Sequence, residues 1–89
     1  MTGYTLTVID SFTIAGRGLV ATGLITTDAE PDLGDVAITL PGGRLELGHV
    51  SGWDKFAIPR WWCVGTVGAL LRGRTEIPVG SVIRGRTKP

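Results

Sequence analysis

Val8-Ile9-Asp10-Ser11-Phe12-Thr13-Ile14-Ala15-Gly16-Arg17-Gly18-Leu19-Val20-Ala21-Thr22-Gly23 is the stretch on which the fold turns. It reads as two β-strands joined by a tight turn. Before Ala15, β-branched and aromatic residues suit a pleated surface, with Phe12 and Ile14 two apart on one face. Gly16 and Gly18 bracket Arg17 where the chain must reverse, and glycine takes positive φ without a Cβ clash. Arg17 is thereby held out at a hairpin tip.

Working outward, the same grammar repeats. Thr5–Ile14 and Leu19–Thr27 are the first two expected strands, and residues 28–35 form a polar turn region. Val36–Leu40 follows, with Val36, Ile38 and Leu40 on one face. Pro41-Gly42-Gly43 turns the chain into Arg44–Val50, where Leu45 and Leu47 alternate with charge. Ser51–Arg60 has no clean period and reads as the longest loop or a short helical turn. Trp61–Leu71 is a long apolar strand in which Gly65 and Gly68 mark bends or bulges. Pro78 sits in the turn before the last strand, Ser81–Arg84, and a basic tail ends the chain. The expected fold class is all-β: a six-stranded antiparallel closed β-barrel, one domain over residues 1–89, with no helical stripe of useful length. Phe12, Ile14, Val36, Ile38, Leu45, Leu47, Val67 and Leu70 are its expected core.

Composition agrees with a small globular domain. The chain is 43% hydrophobic and 19% charged, and its 14 glycines suit short turn-linked strands. No apolar run approaches the ~20 residues that a membrane helix needs. With no secretory signal and one cysteine, Cys63, a cytoplasmic protein is expected. The net charge of +1 conceals a split: residues 1–54 carry seven acidic and two basic side chains, residues 55–89 one acidic and seven basic. Such a split makes an electropositive face, or is neutralised across interleaved strands.

Catalytic and cofactor motifs are not seen. No Gly-rich loop followed by Lys-Ser or Lys-Thr is present, so GTP is not an expected ligand. His49 and Cys63, each the sole residue of its kind, do not make a four-ligand zinc site, and no base stands beside a serine in a recognisable motif. No enzyme, no metal and no cofactor are expected.

The hairpin also carries a resemblance. Asp10, Phe12, Ile14, Gly16, Arg17, Gly18, Thr22 and Gly23 resemble the first hairpin of domain two of elongation factor Tu and its relatives, the translation-protein β-barrel. Gly34-Asp35, the block Val67-Gly68-Ala69-Leu70-Leu71-Arg72-Gly73, and Ile77, Gly80 and Val82 follow in that family's order and at about its spacing. The resemblance spans Val8 to Ile83 and implies a free-standing copy of that barrel. In the family this domain helps hold the aminoacylated 3′ end of tRNA near the Gly-Arg-Gly hairpin, with an acidic cap on the terminal adenosine. The acidic position falls near Ser51-Gly52, where no carboxylate stands, and an Asn of the family is Thr66.

Candidate binding residues are therefore Arg17, Arg72 and Arg74, basic groups near the hairpin and barrel mouth, together with Trp53, Trp61 and Trp62. Arginines on loops bind phosphates bidentately, or else serve as solubilising turn residues paired with Asp10, Asp35 or Glu76. Because neighbours on a strand face opposite sides, Trp61 is expected inward and Trp62 outward, where Trp53 and Phe56 would join it in an apolar patch or the Ser51–Arg60 loop would cover it. The leading expectation is a non-catalytic binding module that engages a protein partner or itself as a homo-oligomer. The second is an RNA-binding accessory contacting the acceptor end of tRNA or ribosomal RNA.

Overall fold

A computed structural model describes residues 3–27, 29–55 and 65–89. Six strands make up the described fold: β1 (Gly3–Ile14), β2 (Gly18–Thr27), β3 (Gly34–Thr39), β4 (Leu45–Lys55), β5 (Gly65–Leu71) and β6 (Val82–Arg86). All neighbours are antiparallel, and the order β1-β2-β5-β4-β3-β6 returns to β1. The sheet is thus a barrel-like ring, and closure spares the sheet its open edges.

The first hairpin turns where the glycines demand it. Gly16 and Gly18 have φ of 79° and 113°, and Arg17 N–H donates to the Ile14 carbonyl at 2.9 Å. Strand β4 runs on to Lys55, so the first part of the expected Ser51–Arg60 loop is strand. Trp61, Trp62, Cys63, Phe56 and the rest of that loop lie outside the described residues.

Two register shifts decide which side chains enter the ring, and neither falls at Gly65 or Gly68. One lies in β1 between Val8 and Asp10, where Ile9 is the extra residue. The other lies in β4 between Val50 and Gly52, where Ser51 is extra. From Gly65 to Leu71, β5 pairs with β2 without interruption.

The β1 shift corrects the expected core. Tyr4, Leu6 and Val8 are buried, and after the extra residue the alternation inverts. Phe12 then pairs with Val20, one residue out of step with the inward Leu19 and Ala21, and is 43% exposed. Ile14 shares that outer side and is half-buried.

On β3, Val36 and Ile38 are buried as expected. Their partners on β4 are Gly48 and Glu46, so the intervening Leu45 and Leu47 point outward. The reason is space: a Cβ at Gly48 would lie 2.6 Å from Ile38 Cδ1, so the glycine admits the isoleucine. Leu45 and Leu47, expected in the core, are 65% and 83% exposed. Val67 is buried as expected, but Leu70 is the outer member of β5, and Ala69 and Leu71 accompany Val67 inside. The core is completed by Leu6, Val8, Ile25, Val50, Ile77 and Ile83.

Candidate functional site

The inverted end of β1, the outer side of β2 and the shifted part of β4 meet around a cleft of about 120 Å³. Ile14, Val20 and Leu70 form its apolar part, and Arg17 and Asp54 supply opposite charges. Each is there for a local reason. The Gly-Arg-Gly turn projects Arg17, the extra Ile9 turns Ile14 outward, and the extra Ser51 sets Gly52 and Asp54 on the outer side of β4. Arg17 has no side-chain hydrogen bond or ion pair among the described residues.

Asp54 is the group that the sequence reading missed. The extra residue in β4 changes the counting, and Asp54 lines the cleft beside Arg17. Nothing in the local pattern of residues 51–55 announces that shift.

Trp53 borders the same cleft but belongs to the inner side of β4, opposite Ala69. It is half-buried rather than part of an exposed patch. Its indole meets the Tyr4 ring edge-on at 5.1 Å, and Nε1–H donates to the Asp32 carbonyl at 3.3 Å.

The other candidate arginines stand apart from this cleft. Arg74 donates from Nη1 to Glu46 Oε1 at 2.8 Å and from Nε to the Glu76 carbonyl at 3.3 Å. Arg44 also reaches Glu46, at 3.7 Å. Glu46 and Arg74 are both largely covered, so this pair fastens the β4 end to the β5–β6 connection. Arg72 is exposed, and its backbone N–H donates to the His49 carbonyl at 2.9 Å. Of the anticipated acidic partners, Asp35 takes His49 instead, Nδ1 to Oδ1 at 3.0 Å.

No group of three or more His, Cys, Asp or Glu side chains is arranged to hold a metal ion among the described residues. No helix of the described residues is long and apolar enough to cross a membrane. No protein-family model matches the chain, and no curated protein matches it at a significant level.

Proposed function

We propose that this chain is a non-catalytic binding module of the elongation factor Tu domain-two type that engages a protein partner or a second copy of itself. Support for the barrel type comes from the order of the sequence blocks and from a closed ring of six antiparallel strands with Gly-Arg-Gly at its first turn. The observation that carries the function is the outer side of β3–β4. Leu45 and Leu47 stand two residues apart on one face, 65% and 83% exposed, with Thr39 and Ala37 beside them. Large apolar side chains presented together to water mark an interaction surface.

Sedimentation velocity over a concentration series, with a native-extract pull-down, compares wild type with Leu47→Lys. A complex formed by wild type and lost in the variant is the expected result. Equal behaviour of the two proteins removes this face from the interface.

A second reading, an RNA-binding accessory for the acceptor end of tRNA or ribosomal RNA, is favoured by the Arg17 guanidinium, unpaired among the described residues, at an apolar cleft that also holds Asp54. Its test is the anisotropy of a labelled CCA-ended oligonucleotide against salt concentration. Phosphate-dominated binding weakens steeply with salt. Binding that ignores both salt and Arg17→Ala would end this reading.

A further inference from the structure

Between β3 and β6 the hydrogen-bond ladder of the ring parts. Pairing runs from Thr39↔Val82 to Ala37↔Arg84 and stops. The two chains meet again at Pro31, bridged to Thr87, where Asp32 N–H donates to the Arg86 carbonyl at 2.9 Å and Lys88 N–H to the Glu30 carbonyl at 2.8 Å. The Lys88–Glu30 ion pair reinforces this second junction. Between the two junctions opens a cleft of about 520 Å³, walled by Tyr4, Asp32, Leu33, Asp35, Arg86 and Thr87. That volume lies within the range of small-molecule sites.

Two groups in this wall are buried and unanswered. Tyr4 and Thr87 are 2% and 6% exposed, and neither Tyr4 Oη nor Thr87 Oγ1 has a hydrogen-bond partner among the described residues. Buried hydroxyls without partners are uncommon in folded proteins, because each has given up water for nothing. Tyr4 is held there by its neighbours. It pairs with Gly85, whose missing side chain leaves the phenol its place, since a Cβ there would lie 2.4 Å from Oη. Burial and then the Asp32 carboxylate hold the phenol pKa far above its ordinary value, so the hydroxyl keeps its proton at neutral pH.

The charges of the cleft are also uncommitted. Asp32 Oδ1 accepts the Leu33 N–H at 2.9 Å, yet the carboxylate is in no ion pair among the described residues, and neither is Arg86. Asp35 is turned to His49. The cleft therefore presents an anion and a cation that are in no ion pair among the described residues, with the half-exposed Leu33 as an apolar wall and two buried hydroxyls among its lining residues.

We propose that this cleft binds a small zwitterion, its cationic group on Asp32, its anionic group on Arg86, and its polar atoms hydrogen-bonded by Tyr4 and Thr87. An apolar branch of the ligand beside the two charges rests on Leu33. The site is separate from the Arg17 cleft and from the β3–β4 leucines, so it stands whether or not either reading above does.

The test is calorimetric titration of the full chain with L-leucine, L-leucine methyl ester and N-acetyl-L-leucine. The free amino acid carries both charges, the ester only the cation and the acetyl form only the anion. Expected is saturable binding of L-leucine, weakened about tenfold or more in either blocked form and in Asp32→Asn or Arg86→Gln, since loss of a charged partner is the larger kind of hydrogen-bond loss. Tyr4→Phe removes a hydroxyl that has no partner among the described residues, so it should melt no lower than wild type while binding L-leucine more weakly. No heat with L-leucine up to about 10 mM, well above a millimolar dissociation constant, overturns the proposal. So does an ester or acetyl form that binds as well as the free amino acid, or Tyr4→Phe that folds and binds unchanged.

Discussion

Val20 and Leu47 both point out of the ring, yet Val20 is 2% exposed and Leu47 is 83% exposed. The difference lies in their neighbours. Val20 has Phe12 across one ladder and Leu70 across the other, so apolar bulk flanks it on both sides. Leu47 has only the small Ala37 beside it in the ladder. Strand β5 first meets β4 at Val50↔Leu71, so Leu45 and Leu47 lie beyond its end. The first region is a recessed, charged cleft and the second an open apolar face. Facing outward does not by itself expose a side chain; being flanked on one side only does.

The sharpest way to break this contrast is to truncate on either side of the β3 ladder. Ile38 is fully buried and pairs with the β4 residue between the two leucines. Ile38→Ala should cost about 2–5 kcal/mol in denaturant unfolding, whereas Leu47→Ala should stay within about 0.5 kcal/mol. Comparable losses in the two variants would mean that Leu47 is covered in solution, by a partner or by another copy.

The recessed region is probed next. Arg17→Ala should weaken a CCA-ended RNA by about 1–3 kcal/mol in the anisotropy titration, as for loss of a charge-assisted hydrogen bond, with little change in melting. A melting loss of that size with unchanged binding would make Arg17 a structural residue of the hairpin.

Smaller still is the effect expected at Glu46, which the inward choice of β3 draws to the end of the ring. Arg74→Ala leaves the largely covered Glu46 with Arg44 alone, and a loss of about 1 kcal/mol is expected, because a half-sheltered pair exceeds the usual surface value only modestly. Chemical denaturation of Arg74→Ala and Glu46→Gln, singly and together, measures the coupling directly.

The least change at neutral pH is expected for Tyr4→Phe, whose signature is the shape of the pH profile. The phenol pKa is raised in the fold above its ordinary 10.0, first by burial and then by Asp32. Below that ordinary value the stabilising difference is fully present, and it is lost as pH rises toward the folded-state pKa. Wild-type melting temperature should therefore fall above pH 10.0, and Tyr4→Phe should lack this component of the fall. Superimposable alkaline profiles would show that the phenol is solvated in solution.

Much of the architecture could be read along the chain. Strand positions followed from β-branched runs, and the first turn from Gly16 and Gly18, because those preferences act within a few residues. Val36, Ile38 and Val67 were legible as core for the same reason. Arg17 at the hairpin tip was legible too, since two glycines around one residue leave its side chain little choice but to project.

Facing was not legible, because it depends on counting across strands. Periodicity 2 yields two faces and no label for either, so Leu45-Glu46-Leu47 looked like an apolar face inward. Only the fit of Ile38 into the space at Gly48 made Glu46 and Gly48 the inner residues. Likewise, one extra residue at Ile9 sent Phe12 outward, and one at Ser51 set Asp54 beside Arg17.

The sequence by itself thus determined the strand class, the turns and the identity of the hairpin tip, all set by φ/ψ preferences and short-range pattern. The tertiary structure alone decided the two bulges, the inner face of β4, the pairing of Arg74 with Glu46 and the parting of β3 from β6 beside Tyr4 and Thr87, whose hydroxyls have no partner among the described residues. Those outcomes come from closing a ring, where each strand must satisfy two neighbours at once and a one-residue slip reverses every side chain beyond it.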